Sequence, residues 1–270
     1  VESIIKLNLI LGLILIQQNF KTLKELYMLV TKLAPDFKAP AVLGNNEVDE
    51  HFELSKNLGK NGVILFFWPK DFTFVCPTEI IAFDKRVKDF HEKGFNVIGV
   101  SIDSEQVHFA WKNTPVEKGG IGQVSFPMVA DITKSISRDY DVLFEEAIAL
   151  RGAFLIDKNM KVRHAVINDL PLGRNADEML RMVDALLHFE EHGEVCPAGW
   201  RKGDKGMKAT HQGVAEYLKE NSIKLACLQV DSRGSPGTEL EFVIMVIAVS
   251  CVKLLSAHNS TQHTSRKHKV

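Results

Sequence analysis

Hydrophobic and polar positions follow a readable order through the middle of the chain. "GVILFFW" (62–68), "FNVIGVSI" (95–102), "FPMVAD" (126–131), "GAFLIDK" (152–158) and "KVRHAVI" (161–167) are short runs rich in β-branched and aromatic residues. Turn signals bound them, so each predicts a strand. Between the first two, Ile80, Phe83, Val87 and Phe90 recur at helical spacing behind Pro77, a residue suited to the first turn of a helix. Met179, Val183, Leu186 and Leu187 form the apolar face of another helix, opening near "GRNADE". "IDKNMKV" reads as the hairpin turn between the last two strands. The β-α-β-α-β-β-α order argues for an α/β fold, a mixed central sheet flanked by helices. After Phe189 the pattern breaks into the polar, Gly-rich "EEHGEVCPAGWRKGDKGMKATHQG" and a short helix "VAEYLKENS". That is an extended C-terminal arm rather than core.

The two ends carry a different pattern. "IIKLNLILGLILI" resembles the apolar region of a signal peptide, but no small-residue cleavage site follows and the flank is polar and basic. Lys24-Glu25 can be encoded by a purine-rich ribosome-binding sequence just before Met28, so residues 1–27 are expected to be translated upstream sequence. "KLACLQVDSRGSPGTELEF" (224–242) back-translates in frame as a run of palindromic restriction sites. Residues 226–270 are therefore expected to be polylinker and vector read-through, and their apolar run from Phe242 to Val252 is too short to span a bilayer. Between these flanks we expect a domain over 28–190 and an arm over 191–225.

Composition narrows the function classes. Of 270 residues, 45% are hydrophobic and 25% charged, which suits a globular protein with a real core. A formal net charge of −1 gives no footprint for nucleic acid, and no membrane partner is expected. The four cysteines, Cys76, Cys196, Cys227 and Cys251, form no C-x-x-C pair, which disfavours both a structural zinc site and a disulfide scaffold. Isolated thiols fit a reducing, cytoplasmic compartment. "KGGIGQ" lacks the spacing of a dinucleotide fingerprint. His51, His91, His108, His164, His188, His192 and His211 show no ligand spacing, and Trp68, Trp111 and Trp200 read as packing residues. Neither a metal nor an organic cofactor is expected.

The candidate chemistry lies in "WPKDFTFVCPTEI" (68–80), which follows the first strand and opens the first helix. A thiol at a helix start meets the dipole and unpaired N–H groups, which favour the thiolate, the nucleophilic and oxidisable form. Position 79, where a thioredoxin-type motif would carry its second cysteine, is Glu79, so dithiol exchange within one turn is excluded. What stands there is Pro69-x-x-x-Thr73-x-x-Cys76-Pro77. This stretch resembles the active site of peroxiredoxins, and residues 28–225 as a whole are similar to the typical 2-Cys members of that family.

The resemblance implies a thioredoxin-like fold and a thiol peroxidase acting on hydrogen peroxide and small organic hydroperoxides in antioxidant defence. Cys76 matches the peroxidatic cysteine, Thr73 the hydroxyl that bonds peroxide and thiolate, and Pro69 the shield against water. Arg151 matches the arginine that stabilises the thiolate, with Glu79 and Arg174 as its supporting network. Cys196, in "GEVCPAGW", matches the resolving cysteine of a partner subunit. The family also implies a homodimer assembling to a decamer and a thioredoxin-like reductant. A holdase chaperone of stacked rings and a redox relay are the alternatives. "GGIG" (119–122) resembles the loop of peroxide-sensitive members, but their Tyr-Phe partner motif is here Tyr217-Leu218, which implies intermediate sensitivity to overoxidation.

Overall fold

The computed structural model describes residues 28–227, so the expectations for residues 1–27 and 228–270, Cys251 included, lie outside the described residues. The chain divides into two compact units, one ending at Lys208 and one beginning at Ala209.

The first unit opens with a hairpin, β1 (Lys38–Val42) and β2 (Val48–Glu53). Then come β3 (Gly62–Phe67), α1 (Cys76–Asp84), α2 (Val87–Glu92), β4 (Phe95–Ser101), α3 (Glu105–Lys112) and β5 (Met128–Ala130). A short helix α4 (Ser135–Asp139) and a small two-stranded ribbon, β6 (Leu143–Phe144) and β7 (Ile148–Ala149), lead into β8 (Arg151–Asp157). The hairpin partner β9 (Val162–Asn168) and the long helix α5 (Ala176–His192) follow. Strands pair in the order β2-β1-β5-β4-β3-β8-β9. β3, β4 and β5 run parallel, while β1, β8 and β9 pair antiparallel, so the sheet is mixed as the sequence pattern predicts.

Every residue of β3 is buried because both faces of the sheet are covered. Ile64 and Phe66 point into one cluster with Phe83, Phe90, Met179 and Val183 from α1, α2 and α5. Val63, Leu65 and Phe67 point into the other, with Tyr140 and Phe154. The period of two along β3 thus sorts one apolar run into two cores. β9 ends the sheet, and beyond Val162 its outer edge carries no partner strand among the described residues.

Several elements escaped the sequence pattern. In β2 ("VDEHFE") only Phe52 is buried, so no apolar alternation marks it. The strand expected over 126–131 contracts to three residues. The C-terminal helix, α6 (His211–Cys227), is longer than the run "VAEYLKENS" and passes residue 225. It lies in the second unit and is described by itself. Among the described residues no helix is long and apolar enough to cross a membrane.

One buried cation gives the fold a pH signature. Lys112, at the end of α3, is 1% exposed and donates from Nζ to the Leu43 carbonyl at 2.6 Å, closing the β1–β2 turn. Burial pushes its ammonium down to about 8, against the opposing pull of Asp84. Between there and the unfolded value of about 10.5, the folded chain has released a proton that the unfolded chain still holds. Stability contributed by this residue therefore rises with pH across that window. Urea melts under reductant at pH 7.5 and pH 10 should show the parent gaining on Lys112→Met by on the order of 3 kcal/mol. A difference that does not change with pH would refute the assignment.

Candidate active site

β3 ends at Phe67, and the chain turns through residues 68–75 before α1 begins at Cys76. The site therefore sits beyond the carboxyl end of a parallel strand pair, where α/β sheets commonly place ligands. Cys76 is fully buried, with Pro77 in the first turn of its helix. Thr78 and Glu79 donate their backbone N–H to the Val75 carbonyl.

Two donors reach the sulfur. Thr73 Oγ1 lies 2.9 Å from Cys76 Sγ, and Arg151 Nη1 lies 3.3 Å from it. Thr73 Oγ1 also stands 2.8 Å from the Lys70 carbonyl, so a single hydroxyl proton has two acceptors. With an anionic sulfur the proton turns to Sγ. With a thiol it turns to Lys70, and the S–H donates to Oγ1.

Arg151 opens β8 and is 4% exposed. It donates from Nε to the Leu170 carbonyl at 2.6 Å and from Nη1 to Glu79 Oε2 at 2.6 Å. Glu79, one turn into α1, also accepts at Oε1 from the backbone N–H (2.8 Å) and Nε (2.7 Å) of Arg174. Arg174 donates from Nη1 to the Gly152 carbonyl, and its guanidinium lies 5.5 Å from the Phe66 ring centroid. Burial pushes the Arg174 guanidinium down from its ordinary value, and Glu79 opposes that shift. Pro69 is buried in the loop between β3 and α1. The five residues expected around Cys76 from the sequence thus fall in one loop, one helix turn, one strand start and one following loop.

Cys196 stands apart, on the irregular segment after α5. Its thiol is half-buried and donates to the Ala185 carbonyl at 3.4 Å. Burial pushes this thiol up, while Arg181 opposes the shift. Arg181 also donates to the Trp200 carbonyl at 2.7 Å, which ties the arm to α5. Cys76 and Cys196 are both free thiols. Tyr217 and Leu218 lie on α6, in the second unit.

Sequence reasoning missed one buried cluster beside the site. His108, on α3, pairs Nδ1 with Asp71 Oδ2 at 2.7 Å, and Trp68 Nε1 donates to Asp71 Oδ1 at 2.8 Å. The signal was present in "VHFAWK": His108, Trp111 and Lys112 share the buried face of α3. A polar residue on such a face requires a partner. Among the described residues, no group of three or more His, Cys, Asp or Glu is arranged to hold a metal ion.

A buried sulfur held by a hydroxyl and a guanidinium on a thioredoxin-like sheet defines a thiol-based redox enzyme. Residues 30–165 match the AhpC/TSA family, and residues 185–220, which carry Cys196, match the C-terminal domain of 1-Cys peroxiredoxin. The chain belongs to the AhpC/TSA family and is a peroxiredoxin, an enzyme that reduces peroxides. It is 98% identical over 198 residues to "Alkyl hydroperoxide reductase C" of Helicobacter pylori, a match that covers 73% of this chain and 100% of that relative. It is 48% identical over 194 residues to "Peroxiredoxin-2" of Macaca fascicularis, covering 72% of this chain and 96% of that protein. Among solved structures, the reduced 2-Cys peroxiredoxin of Plasmodium vivax aligns with a TM-score of 0.69 at 50% identity, covering 72% of this chain and all of the other.

Proposed function

We propose that the chain is a two-cysteine hydroperoxide reductase in which Cys76 is the peroxidatic and Cys196 the resolving thiol. The observation that carries this reading is the fully buried Cys76 Sγ with donors from Thr73 and Arg151 both in reach. The Cys76 thiolate attacks one peroxide oxygen. An S–O bond forms, the O–O bond breaks, and the leaving oxygen departs as RO⁻, which takes a proton to become water or an alcohol. Negative charge grows on that leaving oxygen, and fixed donors in a dry pocket lower the barrier. Arg151 supplies the charge, Thr73 orients the peroxide, Pro69 excludes water, and Glu79 with Arg174 holds Arg151 in place.

The Cys196 thiol then attacks the sulfenic sulfur, releasing water and leaving a disulfide. Its place on an irregular arm supports a thiol that moves to its target in a second subunit. A thioredoxin-like dithiol in the cytoplasm returns the pair to thiols and completes an antioxidant cycle. The open outer edge of β9 offers the backbone for an isologous, antiparallel dimer, and rings of five such dimers form the decamer.

The test is a non-reducing gel with intact mass after one equivalent of hydrogen peroxide, on proteins in which Cys227 and Cys251 are serine. The parent should give a covalent dimer. Cys196→Ser should stop at a trappable sulfenic acid on Cys76, and Cys76→Ser should show no oxidation. A parent that stays monomeric on the gel with Cys76 unmodified would end the proposal.

A further inference from the structure

The peroxidatic loop contains one residue in a conformation that its side chain disfavours. Phe72 has φ +52°, in the left-handed region, although it is neither glycine nor asparagine. Its ring is half exposed and lies 5.7 Å from the Trp111 ring of α3, a loose contact for holding a strained backbone. Such residues persist only where their surroundings over-determine them. The residue on one side, Thr73, bonds the reactive sulfur, and the residue on the other is Asp71.

Asp71 is 7% exposed and saturated with bonds. Its Oδ1 accepts from Trp68 Nε1 at 2.8 Å, and its backbone N–H donates to Asp103 Oδ2 at 2.7 Å. Its Oδ2 meets His108 Nδ1 at 2.7 Å. Trp68 is seated by the absence of a side chain at Gly99, where a Cβ would lie 2.5 Å from the indole. His108 is fully buried, and its Nε2 faces the Val129 carbonyl of β5 at 3.2 Å. A carbonyl only accepts, so Nε2 carries a proton, and a second proton must lie between Nδ1 and the carboxyl group. The peptide that joins Lys70 to Asp71 has its N–H held by Asp103 and its carbonyl within 2.8 Å of Thr73 Oγ1.

We propose that Asp71 and His108 are positioning residues of the peroxidase reaction, a clamp that holds Phe72 in its left-handed turn and thereby keeps the Thr73 hydroxyl on Cys76. The inference rests on the peroxidase reading and adds to it a part that lies outside the Pro-Thr-Cys-Arg set. Neither residue touches the sulfur. Both act through the loop, by tying it to α3 and β5. The clamp requires a hydrogen bond between α3 and the residue before Phe72 rather than a charge. The amide introduced by Asp71→Asn satisfies it too, donating to a neutral His108 Nδ1 while still accepting from Trp68.

The experiment compares two reactions of Cys76 in reduced protein with Cys196, Cys227 and Cys251 as serine: sulfenic acid formation with hydrogen peroxide, and alkylation by iodoacetamide. Alkylation needs the sulfur but not an oriented peroxide. Asp71→Ala and His108→Ala should each slow the peroxide reaction roughly 10- to 100-fold. Their alkylation rates should move by less than about threefold, and Asp71→Asn should recover most of the lost peroxide rate. Should His108→Ala fail to fold, Asp71→Ala against Asp71→Asn carries the comparison alone. Equal losses in both reactions, or no recovery with Asp71→Asn, would reduce the pair to a structural role and overturn the inference. Unslowed alanine variants beside a fast parent would overturn it as well. A parent in which peroxide leaves Cys76 untouched would instead bring down the peroxidase reading itself.

Discussion

Arg151→Gln should lower the rate of peroxide reduction by about 10²- to 10³-fold, the loss expected when one fixed donor is taken from a developing oxyanion. The geometry concentrates three tasks in this side chain. It touches Cys76 Sγ, pairs with Glu79 and anchors on the Leu170 carbonyl. Glutamine can keep one of these contacts, not all of them. Arg151→Lys should recover only a small part of the loss, because a compact ammonium cannot span a sulfur, a carboxylate and a carbonyl as a planar guanidinium does. Stopped-flow measurement of sulfenic acid formation would check both. Rates within threefold of the parent for Arg151→Gln would remove Arg151 from the proposed chemistry.

The second large effect falls on stability. Glu79 is 2% exposed and is the carboxylate shared by Arg151 and Arg174. Glu79→Gln keeps the shape and deletes the charge, leaving two buried cations without their common counterion. Removing one partner of a buried ion pair typically costs about 3–5 kcal/mol. For a domain of this size that corresponds to a fall in Tm on the order of 10 °C. The double variant Glu79→Gln/Arg174→Gln should regain part of the loss, since one unpaired cation goes with the second change. Urea denaturation under reductant is the measurement, and a loss below about 1 kcal/mol for Glu79→Gln would show that the pair is not buried in the working protein.

How much of this could be read from the chain follows from what leaves a local mark. β3, β4 and β8 were legible because their burial writes apolar runs into the sequence, and β9, where only Val162 is buried, through its β-branched residues and the hairpin turn before it. β2 was not, since a strand with one inward residue has no alternation to detect. Of the residues around Cys76, Thr73 and Glu79 fall on one short motif and were found with it. Arg151 and Arg174 lie 75 and 98 positions away, and the bonds that join them to Cys76 and Glu79 have no periodicity. They were reached through family resemblance rather than pattern. Asp71 and His108 are 37 residues apart, and scattered histidines without ligand spacing gave no reason to join them. The inward face of α3 held the clue, but reading it required knowing which face was inward.

Glu79 also sets a condition on the sulfur. Two guanidinium groups share one carboxylate in a region closed to water, so that trio carries a surplus of one positive charge. An anionic Cys76 cancels it, and a neutral one does not. The fold around the site is therefore electrically complete only while the sulfur carries a negative charge. Sulfenic acid, disulfide or an alkyl adduct each leaves the interior with an uncompensated cation. Where the sulfur is a thiolate, the reduced enzyme would thus melt later than its neutral sulfenic acid or alkyl adduct, and a thermal ramp would report, without substrate or donor, how far the population has been so modified.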